Sequence, residues 1–479
     1  MSDQARQLVL RLAHTLRAEL METHISWILL AGELAYKVKK PVHLPFLDYS
    51  TPERRLHFCE EEVRLNRRLA PCVYLGVSRI TGTPETPVID GAGPVLDYAV
   101  RMKRFPAGAL FSERLRAGTL KPALVDRFAQ RLAAFHAEAA CAAASLDPDG
   151  LSPLRRAQAA LSGALALFNA DDSAALSGWL ESQWDEGRSA WLQRLQDGKV
   201  RECHGDLHLA NIVDLDGEAA AFDCIEFDPA LRMLDPVDDA AFAHMDFAAR
   251  GRGDLGWRFF NAWLERTGEY EGLVLLRFWL VSRALVRAHV EHLRSAHSAA
   301  AAMYTRAALQ WSRSAAPSLV ITCGLPGSGK TFTSGRWLEQ VGAIRIRSDV
   351  ERKRLFGLGA LANTRGRGIG AYGADATRRT YDRLLALAGI ALGSGFSVVL
   401  DAAFLRREER CAARSLAAAR QLPFRIIACE APMDVLRDRL RRRSGDASEA
   451  DESVLERLHG EQESLDSEEL ALVLEPAPI

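Results

Sequence analysis

A chain of 479 residues is too long for one ordinary hydrophobic core, so roughly two to four domains are expected. With 48% hydrophobic and 26% charged residues it has a globular composition, which excludes disorder over most of its length. The formal net charge of −1 excludes a global electrostatic pull toward nucleic acid or an anionic membrane.

Residues 1–20 place Leu8, Leu12, Leu16 and Leu20 at helical spacing, which predicts an amphipathic helix. Charges run through that stretch, so it lacks a signal-peptide pattern, and no run reaches the roughly 18–20 apolar residues of a spanning helix. The segment "SWILLAGELAYKVKKPV" is strand-like on both sides of Gly32 and predicts a hairpin. "FCEEEVRLNRRLAP" predicts a helix ended by Pro71, and "VYLGVSRITGT" and "GPVLDYAVRMKRFP" predict two more strands. Together these make a small antiparallel lobe. From about Pro106 to Gly198 the pattern is helical and alanine-rich, with Leu124, Phe128, Leu132 and Phe135 on one face. His136, beside that face, reads as a packed core histidine rather than a ligand. Helices return in "LVLLRFWLVSRALVRAHVEHL", and "WSRSAAPS" (Trp311 to Ser318) reads as an inter-domain linker. Beyond it, "SLVITC", "AIRIRS", "FSVVLDAAF" and "FRIIACEAP" are short strands alternating with helical segments, which predicts a parallel sheet with crossovers. The boundaries expected are residues 1–310 for a first domain, 311–318 for the linker and 319–479 for a second. Eight cysteines without a CxxC pair, several in apolar runs, point to a reducing, cytoplasmic compartment.

Two stretches carry phosphate chemistry. Gly324-Leu-Pro-Gly-Ser-Gly329-Lys330-Thr331 fits G-x-x-x-x-G-K-[ST], after an apolar strand and before a helix-compatible segment. Gly324, Gly327 and Gly329 let the backbone N–H groups, Ser328 among them, turn toward phosphate oxygens; Lys330 would neutralise them and the Thr331 hydroxyl would ligate Mg²⁺. Asp349, at the end of the next strand, is a candidate to accept the proton of an acceptor hydroxyl, or else a helix N-cap. Arg352 is a candidate to bind a polar substrate. Asp401 closes "FSVVLD", where a carboxylate for the metal's water would sit, or caps the next turn. Arg437, Arg439, Arg441, Arg442 and Arg443 precede a polar segment and read as a lid over transferring phosphate, or as a solvated basic face. Their lack of aromatic interleaving disfavours nucleic acid as the partner.

The other stretch is "ECHGDLHLANIVDLDGEAAAFDCIEF", Glu202 to Phe227. Asp206 and Asn211 stand in the spacing D-x-x-x-x-N, which resembles the catalytic loop H-R-D-x-x-x-x-N of protein kinases, with His204 and Gly205 for the first two. Asp206 would orient and deprotonate a hydroxyl, Asn211 would bind Mg²⁺ by its amide oxygen, and Asp223, ending the next strand, would give a second metal bond. Lys37 and Lys39 lie two apart on one face of a strand.

"HGDLHLAN", including His208, resembles the H-G-D-x-H-x-x-N hallmark of the aminoglycoside phosphotransferase and choline-kinase superfamily. That resemblance implies a protein-kinase-like α+β fold over residues 1–310, a small antiparallel N-lobe with a helical C-lobe. It also implies a nucleotide-binding lysine, selected as Lys37 by matching "LAYK" to V-A-I-K, with Lys39 beside it. Its glutamate partner is selected as Glu61 by matching "EEVRLN". The chain departs from protein kinases in having only Gly32, not G-x-G-x-x-G, in the preceding hairpin. "GLPGSGKT", "RSDVERKR", "VVLDAAF" and the arginine cluster resemble P-loop kinases of small molecules and polynucleotide 5′ ends, gluconate-kinase-like and zeta-toxin-like proteins among them. These imply an α/β P-loop NTPase domain with a parallel sheet that uses ATP and Mg²⁺.

The expected protein is therefore a bifunctional ATP- and Mg-dependent phosphotransferase with one site per domain, a small-molecule hydroxyl acceptor and no membrane partner. Two alternatives stand beside it. One is a nucleotide-binding regulatory or toxin-like protein in which only the P-loop domain transfers phosphate; the other is a polynucleotide 5′-kinase.

Overall fold

The computed structural model describes residues 2–44, 47–295, 297–313, 316–360, 362, 373–442 and 447–474. Its contacts divide the chain into two compact units, Met1–Leu146 with Arg194–Ala243, and Asp147–Gln193 with His244–Ile479. Residues 147–193 and 244–310, read from the sequence with the first domain, pack in the second unit.

In the first unit, α1 (Ser2–Leu16) stops short of the predicted Leu20. Arg17 takes a left-handed φ of 47°, its N–H bonds His14 O at 3.1 Å, and Ala18 N–H bonds Ala13 O at 2.8 Å. These paired reversed bonds close the helix, so Leu20 lies instead in β1 (Glu19–Glu22). β2 (Ser26–Ala31) and β3 (Leu34–Lys39) form the predicted hairpin, with Gly32 in its turn at φ 57°. α2 (Pro52–Asn66) begins at Pro52, whose missing N–H costs nothing there, and is capped by Thr51. β4 (Tyr74–Gly82), β5 (Pro87–Ile89) and β6 (Val95–Lys103) complete an antiparallel sheet of order β1-β2-β3-β6-β4-β5.

Both faces of that sheet are covered. Leu8, Val9 and Leu12 of α1 pack with Trp27, Leu29 and Val38 on one side. Cys59 and Val63 of α2 pack with Ala35, Val100 and Met102 on the other. Strand alternation therefore turns Lys37 and Lys39, in phase with Ala35, toward α2. α3 (Pro122–Glu138) buries Leu124, Phe128, Leu132 and Phe135 together with His136. β7 (Ile212–Leu215) and β8 (Glu218–Ala221) pair as a hairpin, which brings Asn211, before β7, to the same end as Phe222 and Asp223, after β8.

In the second unit, helices Ser152–Gly163, Leu276–Arg294 and Ala299–Ser312 pack together. α4 (Gly253–Thr267) precedes a parallel sheet built from β9 (Leu319–Cys323), β10 (Ala343–Arg347), β11 (Ser397–Asp401) and β12 (Phe424–Ala428). Its order is β10-β11-β9-β12, all parallel. α5 (Lys330–Val341) follows β9 through the glycine loop, α6 (Ser348–Leu355) follows β10, and α7 (Ala374–Gly393) precedes β11. α8 (Met433–Arg442) follows β12. The open side of edge strand β10 is covered by α4. Asn261 Oδ1 accepts from Arg345 N–H at 2.6 Å and its Nδ2 donates to Ala343 O at 2.8 Å. Such cover removes an exposed strand edge. Among the described residues, no helix is long and apolar enough to cross a membrane.

Candidate active sites

The first site gathers where β3, α2 and the β7–β8 hairpin meet. Lys37 Nζ lies 2.8 Å from Glu62 Oε1 and 2.5 Å from Asp223 Oδ1. Lys39 Nζ lies 2.6 Å from Glu62 Oε2 and also bonds Glu226, which accepts from the Tyr49 hydroxyl. One fully buried carboxylate thus serves both lysines. Burial alone would raise the Glu62 pKa, but Lys37 and Lys39 outweigh it and hold the group near about 2. The same carboxylates, Asp223 foremost, overcome burial at Lys37 and raise its pKa.

The partner expected from the sequence was Glu61, and the structure corrects this. Glu61 is partly exposed and pairs instead with Arg64 at 2.9 Å and the buried Arg232 at 3.5 Å. The buried side of α2 carries Cys59, Glu62, Val63 and Asn66. Their spacing of three, four and seven is a helical stripe, and it selects Glu62.

Asp206 and Asn211 sit together as their spacing implies. Asn211 Nδ2 donates to Asp206 O at 3.0 Å and Oδ2 at 3.1 Å, and His208 Nε2 is 3.4 Å from Asp206 Oδ2. Among the described residues no hydrogen bond engages Asn211 Oδ1, which leaves an oxygen for a cation near the Asp223 end of the hairpin. Asp223 adopts a left-handed φ of 63°, with its N–H bound to the Tyr74 hydroxyl at 3.1 Å. A strained backbone of this kind is retained where neighbours over-determine it.

His204 is buried, and both of its ring nitrogens tie the loop to the backbone around it. Its Nδ1 accepts from Asp206 N–H at 3.3 Å, so Nε2 carries the proton to Phe222 O at 2.9 Å. Burial lowers its pKa, which keeps this neutral tautomer. Behind it, Asp239 accepts from His204 N–H at 3.0 Å, Gly205 N–H at 2.9 Å and His136 Nε2 at 3.1 Å. His136 is thus a core residue that holds a brace. No motif spacing pointed to Asp239.

The second site is a cleft of about 980 Å³ at the C-terminal end of the parallel sheet, lined by Lys330, Thr331, Asp349, Arg352, Asp401 and Arg439 among others. Ligands bind there in open parallel sheets. Gly324, Gly327 and Gly329 all have positive φ, and a Cβ on Gly324 would fall 2.2 Å from Cys429 O. Lys330 Nζ folds onto Gly324 O and Leu325 O, each at 2.8 Å. The Ser328 hydroxyl is buried without a hydrogen-bond partner among the described residues. An orphaned hydroxyl inside a ring of glycines fits a phosphate group.

Asp349 is not the helix cap; Arg347 occupies that position and Asp349 stands in the first turn of α6, facing the cleft. Arg352 is buried and donates to Thr377 Oγ1 at 3.2 Å. Asp401 does not cap the following turn. It accepts from Ser334 Oγ at 3.2 Å and lies 3.6 Å from Arg347 Nε. Of the arginines expected to form a lid, Arg439 reaches the loop, donating to Gly327 O at 3.1 Å. Arg442 pairs along its own helix with Asp438 at 3.1 Å, and Arg443 lies outside the described residues. Arg378, Tyr381, Glu409 and Arg457 also line the cleft and were not singled out from the sequence, because they come from segments with no phosphate motif.

The chain is 32% identical to the uncharacterized protein Rv2004c of Mycobacterium tuberculosis over 468 residues, 94% of this chain and 91% of that one. The chain belongs to the family of that mycobacterial protein. A counterpart in Mycobacterium bovis, Mb2027c, matches to the same extent. The family model described as an AAA domain matches residues 319–465. Among solved structures, a choline kinase from Cryptosporidium parvum Iowa II is similar over 62% of this chain and 86% of its own, at 10% identity and a TM-score of 0.37. A gluconokinase from Sinorhizobium meliloti 1021 is similar over 33% of this chain and 82% of its own, at 22% identity and a TM-score of 0.24. In this family member an antiparallel sheet with its helices precedes the glycine loop, and the loop itself joins β9 to α5 of a parallel sheet within the residues that the AAA domain model matches.

Proposed function

We propose that this protein is a bifunctional phosphotransferase, with two sites that each transfer phosphate from ATP to a hydroxyl of a small molecule. The proposed catalytic regions are residues 1–310 and 319–479, joined at 311–318, in a reducing cytoplasm. One observation supports the reading: each compact unit gathers a lysine, side-chain oxygens and a carboxylate in the pattern that the proposed chemistry needs. Bound Mg-ATP would supply the phosphoryl donor and the metal's charge.

In the first site, Lys37, oriented by Glu62, holds the donor's phosphates, while Asp223 and Asn211 Oδ1 offer oxygens to the metal. Asp206 takes the proton of the acceptor hydroxyl at a carboxylate oxygen, its orientation set by Asn211 Nδ2. In the second site, the loop N–H groups and Lys330 hold phosphate, and Thr331 and Asp401 hold the metal. Asp349 accepts the proton, and Arg352 and Arg439 bind anionic oxygens across the cleft.

The test is to incubate the protein with Mg-ATP and a pooled extract of small metabolites, following phosphorylated products by mass spectrometry. Asp206→Ala and Lys330→Ala run alongside. Loss of a different product in each variant supports two sites. If Asp206→Ala changes nothing while Lys330→Ala abolishes all transfer, the first site only binds, and a nucleotide-responsive regulator takes the place of this reading.

A further inference from the structure

Edge strand β10 carries Arg345 and Arg347, two residues apart and so on one face. Both reach Glu265 of α4, which belongs to the same compact unit but lies well before the glycine loop in the chain. Arg345 donates to Glu265 Oε1 through Nε at 2.9 Å and Nη2 at 2.6 Å, and through Nη1 to the carbonyl of Thr331 at 3.2 Å. Arg347 Nη1 lies 3.5 Å from Glu265 Oε2, and its Nε lies 3.6 Å from Asp401 Oδ2. The parallel register sets Arg347 directly opposite Asp401. Glu265 and Arg347 are 13% and 12% exposed in their side chains and Asp401 4%, so solvent screens these charges weakly.

We infer that Glu265 is a positioning residue for the metal side of the P-loop site. It draws Arg347 between two carboxylates, so that Asp401 keeps negative charge for a cation, and it seats Arg345 against the backbone of Thr331. The inference rests on reading the second site as a Mg-nucleotide site. A guanidinium shared by two carboxylates neutralises neither fully. With Glu265 made neutral, Arg347 closes on Asp401 and competes with the cation for that carboxylate.

The experiment uses the full chain and a fluorescent ATP analogue, titrated with Mg²⁺ and also bound without it. The P-loop component is defined as the binding lost in Lys330→Ala. Glu265→Gln is expected to raise the Mg²⁺ midpoint of that component on the order of tenfold, while Mg-free affinity stays within about twofold. Adding Arg347→Gln to Glu265→Gln should return the midpoint toward the wild-type value, a rescue that a merely structural role for Glu265 does not produce. Arg347→Gln alone should lower the midpoint, and it carries the test if Glu265→Gln fails to fold. The inference is overturned by an unchanged midpoint in Glu265→Gln, by an equal loss of Mg-free binding, or by a raised midpoint in Arg347→Gln. If Lys330→Ala removes no binding at all, the Mg-nucleotide reading has failed, and the inference falls with it.

Discussion

Glu61 and Glu62 are neighbours in sequence whose surroundings differ in kind. Glu62 has no exposure and neutralises Lys37 and Lys39, whereas Glu61 meets Arg64 at a partly open surface. Glu62→Gln leaves two buried ammonium groups short of a counter-charge, which costs about 3–5 kcal/mol in comparable buried pairs. Glu61→Gln should stay within about 1 kcal/mol, the range of surface pairs. Urea denaturation of both variants, with the yield of the product that Asp206→Ala removes, checks this; similar losses in both would refute the assignment. Asp239 gives a pH prediction. Burial pushes its carboxyl up, and the bond from His136 with the N–H groups around it wins, holding it at about 2. A folded pKa below the unfolded value of about 3.9 contributes stability that is complete above pH ~4 and lost as pH falls toward ~2. Asp239→Asn should therefore be less stable than wild type at neutral pH and show a flatter decline through that acid window in thermal melts. The local part of this site was legible beforehand. Asp206, Asn211 and Asp223 follow one another along a loop and hairpin, so spacing alone groups them. Choosing Glu62 needed the phase of α2, which the apolar residues Cys59 and Val63 reveal. Asp239 meets the loop from more than thirty residues away, a distance at which spacing carries no signal.

The strands were visible as elements because alternation and β-branched runs report a pleated, buried surface. The end of α1 was not, since a left-handed Arg17 has no composition signal of the kind glycine gives. Nor was the cover over β10 visible. The side chain of Asn261 substitutes for a neighbouring strand by bonding both Arg345 N–H and Ala343 O, and the Tyr270 hydroxyl adds a bond to Arg345 O at 3.3 Å. Asn261→Leu fits an apolar side chain into similar space yet leaves one backbone donor and one acceptor unanswered. Each such group costs about 1–3 kcal/mol when buried. The variant should lose stability of that order, and the Arg345 amide should exchange with deuterium well before those of β9. Unchanged protection at Arg345 would mean that water replaces Asn261 at no cost, and that the strand needs no cover from α4.

At the scale of the whole molecule, the proposal of two nucleotide sites makes a statement about stability as well as turnover. A ligand that binds only the folded state stabilises it by about 2.7 kcal/mol at a hundredfold excess over its dissociation constant. For a unit of this size, each kcal/mol moves the melting midpoint by roughly 2–4 °C. The Lys37–Glu62 pair lies in the first compact unit and the glycine loop in the second. Scanning calorimetry with saturating Mg-ATP should therefore show two contributions that separate by mutation. Lys330→Ala abolishes the stabilisation of the second unit and spares that of the first. Asp223→Asn, which withdraws a carboxylate from Lys37 and from the metal side, does the reverse. If the whole shift survives Asp223→Asn and vanishes in Lys330→Ala, ATP acts on the P-loop unit alone. The charged cluster of the first site would then be a structural network. Because the readout needs no acceptor, it separates a failure to bind nucleotide from a failure to offer the right hydroxyl.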